Sequence, residues 1–320
     1  MNKIITIAAH SGSFHADDVF AVAVLTLLYP NANVIRTRDE HLVAQADFAV
    51  DVGGVWDPAS GRFDHHQKGF AGKRPSEVVY ASAGLVWAAH GVQCLGMLEP
   101  KLTDAQRIEL CQSIDDELVQ HLDMADTGAA QGAPGSFGLS AIIDAYNVTR
   151  TENNLLRLVV EASKSALDVK YLLDKVQLDQ FKSAVRMVQN LLTRLARKGA
   201  DELLGAELVR NAQTCSEGKI LVLPEPGLSW IKVVCAEMPQ VLLVVYPNST
   251  EQGFQIRTVP VEPESFKARR DLPCEWAGLT AADLARVTGV SDSVFCHNAR
   301  FIAGAETVEG ALELAKLALE

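Results

Sequence analysis

Residues 3–30 read "KIITIAAHSGSFHADDVFAVAVLTLLYP": a short apolar run that breaks at His10, then a second apolar series that Pro30 stops. The first run has the length of a buried strand, and the second, from Ala16, is long enough for a helix. The same alternation continues downstream. "NVIRTR" reads as a strand, "HLVAQA" as a short helix and "DFAVDVGG" as a third strand. A βαβαβ order predicts a parallel sheet with helices on both faces. In open sheets of this kind ligands bind beyond the carboxyl ends of the strands. The residues at those ends are therefore the ones to inspect.

Further along, residues 76–94 and 103–122 are helical by pattern, the second opening with Thr103 and Gln106 at capping-box spacing. Past about residue 150 a long helical stretch gives way to "KILVLP", "WIKVVCAE", "QVLLVVYP" and "GFQIRTVPV". These read as strands joined by hairpins or a meander, followed by "SVFCH" and a last helix over 307–319. The expected fold class is α/β, with a parallel-sheet domain over 1–150 and a smaller α+β domain over 151–320 that completes a substrate cleft. The change of pattern places the boundary near 148–160.

With 320 residues the chain exceeds what one hydrophobic core usually holds. Its 48% hydrophobic and 22% charged content are those of a globular enzyme. A net charge of −11 lacks the global basic footprint of duplex binding, which weakens nucleic-acid binding without excluding a locally positive groove; no duplex DNA partner is expected. Only 6% of residues are Phe, Trp or Tyr, so composition lends no support to stacking along a long RNA. None of the six cysteines forms a C-x-x-C pair, and no run reaches transmembrane length. Buried free thiols in a reducing, cytoplasmic setting, away from any membrane, are the expectation. The oligomeric state stays open, a homodimer being one option.

Strand one ends at His10, and the loop after it supplies His15, Asp17 and Asp18. Strand three ends at Asp51, and "FDHHQ" adds Asp64, His65 and His66. "HLDMADTG" brings His121, Asp123 and Asp126. Each has a plainer explanation by itself. His10 is as well read as a strand-end histidine bonded to backbone, and Asp17 or Asp18 as acids favoured at a helix N-terminus. Asp51 before two glycines reads as turn chemistry, and Asp123 and Asp126 as solvated helix-end acids. His41, His90 and His121 are assigned structural roles. The "DHH" triplet resists such treatment, because two adjacent imidazoles beside an acid suit a metal site in which the carboxylate orients one ring. The number of donors points to two ions, since a dinuclear site needs roughly six to eight. Imidazole and carboxylate without thiolate favour Mn²⁺, Fe²⁺, Co²⁺ or Zn²⁺ over an all-oxygen Mg²⁺ site.

The stretches "AAHSGSFHADD", "VDVGG", "FDHHQ" and "MADTG" resemble, in order, the four N-terminal motifs of the DHH phosphoesterase superfamily. That group includes the RecJ exonucleases and manganese inorganic pyrophosphatases. The chain is closer still to the melanocyte-proliferating-gene family, whose members are taken to be 3′–5′ RNA exonucleases. The likeness extends through "RTRD", "SAGL", "FKARRDLPCEWAGL" and "VFCHNARFIAGAETVEGAL", and so over nearly the whole chain. The resemblance implies metal ligands His10, His15, Asp17, Asp51, His65 and Asp126, with Asp51 shared between the ions and Asp123 a weaker candidate. It implies two divalent metals, Mn²⁺ favoured. Asp51, Asp64 and His66 become the catalytic group, with His66 on a substrate phosphate. Where the wider superfamily has H-x-x-x-D-x-D, this chain has His15 near the first of those aspartates, a change shared with the closer family. The resemblance also raises Arg269 and His297 above their neighbours as phosphate contacts, with Arg300 nearby. From spacing alone Lys267, Arg269 and Arg270 read better as a solvated loop. Arg36 and Arg38, at the end of strand two, either face the cleft or form a strand-end salt bridge.

The expected activity is hydrolysis of phosphodiesters by a two-metal-activated hydroxide, on RNA 3′ ends or short single-stranded oligonucleotides. The alternatives are hydrolysis of a small phosphorylated metabolite (a cyclic dinucleotide, a nucleotide or pyrophosphate) and a non-catalytic nucleotide- or metal-binding protein.

Overall fold

β1 (Thr6–Ala9) carries Ile7, Ala8 and Ala9, all inaccessible to solvent, as expected for a strand covered on both faces. A computed structural model describes residues 3–129, 138–163, 168–249 and 253–320. After β1 the chain runs through α1 (Ala16–Leu28), β2 (Asn33–Arg36), α2 (Glu40–Gln45) and β3 (Phe48–Val50). The short strands β4 (Trp56–Asp57) and β5 (Arg62–Phe63) follow. The sheet order is β2-β1-β3-β5-β4; only the β4–β5 pair is antiparallel. The expected βαβαβ unit is therefore present. Because β1 leads outward to β2 and β2 leads back across to β3, right-handed crossovers place α1 and α2 on opposite faces. On the α2 side Val43 and Ala46 pack on Ala8 and Ala49, with Ile35 against them. The reversal of strand order between β1 and β3 opens a crevice at their carboxyl ends.

Helices α3 (Ser82–Leu98), α4 (Asp104–Ile114), α5 (Gln120–Asp126), α6 (Leu139–Asp144), α7 (Arg150–Ser163) and α8 (Val169–Arg210) follow. Thr103 and Gln106 form the expected capping box at the start of α4. A π-helical turn, Asp115–Val119, joins α4 to α5.

The chain divides into two compact units, Met1–Ala200 and Asp201–Glu320, later than the 148–160 boundary that the pattern change suggests. The reason lies in α8. Phe181, Ala184, Val188, Leu192 and Ala196 are fully buried on one stripe of this helix, and Phe181 meets Phe14 edge to face at 5.4 Å. Gln189 Nε2 also donates to Thr26 Oγ1 at 2.8 Å. Up to Ala200 the long helix thus completes the first core, and only its last turns, with Val209, join the second.

In the second unit come β6 (Gln213–Cys215), β7 (Ile220–Val222), α9 (Trp230–Glu237), β8 (Leu243–Pro247) and β9 (Phe254–Thr258). They are followed by α10 (Ala281–Thr288), β10 (Ser293–Cys296), β11 (Ile302–Ala305) and α11 (Val308–Leu317). The sheet order is β10-β11-β9-β8-β7-β6. "WIKVVCAE", expected as a strand, is helix α9, and β7 pairs with β8 in parallel instead of as a hairpin. Its β-branched content favours a strand, but Trp230, Val233 and Val234 are buried at helical spacing. They pack on Leu221 and Val244, while the alternate residues Leu243 and Val245 face Leu314 and Ala315 of α11.

All six cysteines are free. Burial pushes the thiols of Cys94 and Cys111 up to about 12, which leaves them inert. No helix among the described residues is long and apolar enough to cross a membrane.

Candidate metal centre

The carboxyl ends of three neighbouring parallel strands deliver the key side chains: His10 after β1, Asp51 after β3, and Asp64, His65 and His66 after β5. α1 adds Asp17 and Asp18 in its first turn, with His15 at its N-cap, and α5 ends on Asp126. Asp51 has a left-handed backbone (φ 54°), continued by Gly53 (φ 97°) and Gly54 (φ 66°). That turn is why "DVGG" needs its glycines. Gly54 N–H then donates to Asp64 Oδ2 at 2.6 Å, tying the β3 and β5 ends together.

The donors converge. His10, His15 and Asp51 form one trio, Asp51, His65 and His66 a second, and His15, Asp17 and Asp126 a third; within each, the ligand atoms lie within 4.8 Å of one another. Asp51 belongs to two trios: its Oδ2 is 3.3 Å from His10 Nε2, and its Oδ1 is 3.4 Å from His65 Nε2 and 3.2 Å from His66 Nδ1. His65 Nε2 is also 3.2 Å from Asp126 Oδ2 and 3.9 Å from Asp17 Oδ2. All six residues expected as ligands from the sequence meet here. His66, expected on substrate, stands among the donors as well. Asp64 orients it: Asp64 Oδ1 accepts from both the main-chain N–H (3.0 Å) and Nδ1 (2.9 Å) of His66.

The charge balance asks for cations. Asp17 is wholly buried and neither carboxylate oxygen makes a well-formed hydrogen bond; His10 Nε2 and Asp18 Oδ2 face each other at 3.2 Å and His65 Nε2 faces Asp126 Oδ2 at 3.2 Å, buried ion-pair contacts that also lack good hydrogen-bond geometry. Polar atoms are not left so without a partner of some kind. Burial and the neighbouring Asp51 and Asp126 charges hold the Asp17 carboxyl well above the usual range. Burial opposes the charged form of His65, yet Asp126 and Asp51 outweigh it and raise the imidazolium to about 10. The Asp51 hydrogen bond lifts His66 to about 9. Protons on the imidazoles thus balance charge that divalent ions would balance when bound, and the donor set fits such ions.

Around this centre lies a cavity of about 960 Å³ lined by His10, His15, Arg38, Asp51, His66 and Asp126, among others. Arg38 reaches it from beyond β2: its Nη2 lies 3.1 Å from His10 Nδ1 and its Nε donates to Ser11 O at 3.3 Å. Arg36 lies in a neighbouring pocket, where its guanidinium stacks over Phe14 and Phe181 and donates to Gly12 O. It braces the loop that carries His10 and His15.

The remaining basic residues belong to the second unit. Arg269 donates to the main-chain oxygens of Val234, Cys235, Met238 and Val241, at and just beyond the carboxyl end of α9. This placement favours a helix-capping role over the phosphate contact expected from the sequence. Arg300 is held by Leu272 O and Asp271. His297 Nδ1 accepts from Ala299 N–H, and its ring packs on Phe301 at 4.7 Å. Arg269→Ala is therefore expected to destabilise the second unit by about 1.5–3 kcal/mol, the usual worth of hydrogen bonds to a charged group, with turnover unchanged. Chemical denaturation and steady-state kinetics check it. Unchanged stability with a tenfold drop in kcat/KM would restore the phosphate role.

Asp123 is not among the grouped donors. Its Oδ1 accepts from Gly84 N–H (3.0 Å) and its Oδ2 from Arg74 Nη1 (2.7 Å). Arg74 and Ser82 are neighbours of the centre that sequence reasoning missed. Ser82 Oγ lies 3.4 Å from Asp51 Oδ1. "SAGL" offered a signal for Ser82, whereas nothing near Arg74 distinguishes it from a surface arginine.

Over residues 6–319 the chain matches the MYG1 exonuclease family profile, described as uncharacterised protein family UPF0160. It is similar to the MYG1 exonuclease of Homo sapiens, 31% identical over 333 residues that cover 98% of this chain and 85% of the relative. The MYG1 exonuclease of Mus musculus is 30% identical over 338 residues, covering 98% and 84%. A bacterial relative, the MYG1 protein of Chlamydia trachomatis serovar D, is 27% identical over 321 residues, covering 98% and 96%. With a profile match from β1 to the end of the last helix, and relatives aligned over almost its full length, this chain belongs to the MYG1 exonuclease family.

Proposed function

We propose that this protein is a metal-dependent phosphoesterase of DHH type that hydrolyses phosphodiester bonds at RNA 3′ ends or in short oligonucleotides. The observation that carries the reading is the sharing of Asp51 between two donor trios, beside a wholly buried Asp17 whose carboxylate oxygens make no well-formed hydrogen bond. The names of the mammalian relatives support a nuclease.

His10, His15, Asp17, His65 and Asp126 would hold two divalent ions between them, with Asp51 common to both and Mn²⁺ the favoured metal. Two such ions, when bound, lower the pKa of a water and neutralise charge on the phosphoryl group. The chain's own residues do the rest. Asp64 fixes His66 through Nδ1, leaving Nε2 for a phosphoryl oxygen. Arg38 offers a guanidinium fork at the cavity rim, suited to a phosphate. Arg62 and Ser60 line the same cavity and extend its polar wall.

The cavity also supports a second substrate class. Its volume of about 960 Å³ suits a nucleotide or dinucleotide, so a small phosphorylated metabolite is the rival reading. A panel of bis(p-nitrophenyl) phosphate, a labelled short RNA, a cyclic dinucleotide and pyrophosphate, each with Mn²⁺, separates the two.

Elemental analysis is expected to find two ions per chain after Mn²⁺ loading, and chelation is expected to abolish phosphodiester hydrolysis. At most one ion, or turnover that survives complete chelation, would sink the dinuclear reading.

A further inference from the structure

Arg74 lies in the loop before α3, is 4% exposed, and touches none of the grouped metal donors. Its guanidinium nonetheless uses every edge. Nε and Nη2 fork onto Asp115 at 2.6 and 2.7 Å, Nη1 binds Asp123 at 2.7 Å, and the plane sits 4.3 Å from the centre of the Tyr80 ring. Asp115 opens the π turn and Asp123 lies on α5, so one side chain grips both sides of the joint between α4 and α5.

The π turn makes that grip geometrically feasible. In an unbroken α-helix, residues eight positions apart sit about 80° apart around the axis. A π turn holds about one extra residue and turns less per residue, which brings Asp115 and Asp123 roughly back into line. Asp123 in turn reaches out of α5 to accept from Gly84 N–H, the third residue of α3, whose N-cap Ala81 has no capping side chain. The neighbouring side chain in that first turn, Ser82, contacts Asp51. One turn beyond Asp123, on the same face of α5, lies Asp126. The approach is close: a Cβ on Gly84 would lie 2.0 Å from Asp123 Oδ2 and 2.6 Å from Arg74 Nη2.

We propose that Arg74 and Asp123 are positioning residues that lock α5 against the first turn of α3, and so set the spacing between Asp126 and Asp51. This rests on the metal-centre reading above. Neither residue touches metal or substrate. They act through the two carboxylates, which come from different elements and have no covalent reason to hold a fixed separation.

Two variants test it, read by Mn²⁺ binding isotherms and by the Mn²⁺ concentration for half-maximal phosphodiester hydrolysis. Asp115→Asn removes half of the fork at a partly exposed position and leaves the buried Arg74–Asp123 pair intact. It is expected to weaken Mn²⁺ binding several-fold, with KM for substrate at saturating Mn²⁺ unchanged. Arg74→Met/Asp115→Asn/Asp123→Asn leaves no unpaired buried charge and keeps an oxygen for Gly84 N–H. It is expected to unfold at a temperature near wild type yet bind Mn²⁺ at least tenfold more weakly. A purely structural pair would regain metal affinity together with stability. Wild-type Mn²⁺ affinity in either variant overturns the positioning role alone. A wild-type protein that binds no Mn²⁺ overturns the metal centre itself.

Discussion

Asp51→Asn is expected to lower phosphodiester turnover by roughly 10³-fold or more, the scale lost when a group that stabilises transition-state charge is removed. The fold is expected to survive. Asp51 sits at φ 54°, a region that Asn tolerates as readily as Asp, so the β3 turn keeps its shape. The change replaces a carboxylate reached by His10, His65 and His66 with a neutral amide. Both proposed ions lose their common anionic ligand, whereas a ligand of one ion would weaken one site only. Far-UV circular dichroism, metal analysis and initial rates over a range of Mn²⁺ concentrations decide it. A folded, metal-loaded variant with near-wild-type turnover would refute the bridging assignment.

Arg74→Met alone is the largest stability effect expected. It leaves Asp123 fully buried without its counterion, and Asp115 without its fork. Breaking a buried pair from one side costs about 3–5 kcal/mol. For a unit of this size that corresponds to a fall of roughly 6–20 °C in Tm. Burial already raises the Asp123 carboxyl to about 7 against the pull of Arg74 and Gly84 N–H, so its ionised form depends on them. Scanning calorimetry provides the check. A change under 1 kcal/mol would mean that the Asp123 carboxyl takes up a proton or that water reaches it.

Much of the first unit was legible in the sequence. Short apolar runs and helix stops marked β1, α1, β2, α2 and β3 in order, because strands buried on both faces must be apolar throughout and helices need an amphipathic or buried length. The ligand candidates were legible because a βαβ sheet sends its strand ends to one edge, so His10, Asp51 and His65 could be grouped before any distance was known. The division of the chain was less so. Helix α8 has apolar spacing that any core would accept, and only contacts with Phe14 and Thr26 assign its residues up to Ala200 to the first unit. Helix α9 failed for a related reason: eight residues rich in Val and Ile satisfy a strand pattern and a helix pattern equally.

By itself the sequence determined which residue types are available and which strand ends carry them. Periodicity and chain order follow from local sterics and burial, and these act within a few residues of one another. Tertiary structure alone decided how each long side chain is used. Arg38 reaches the cavity while Arg36, two residues earlier, braces a loop between two phenylalanine rings. Arg269 caps a helix that begins nearly forty residues before it. Asp123 and Asp126 lie one turn apart on α5, yet one pairs with Arg74 and the other joins the donors. A charged side chain takes whatever partner compensates its burial, and that partner is set by which distant segments the cores bring together.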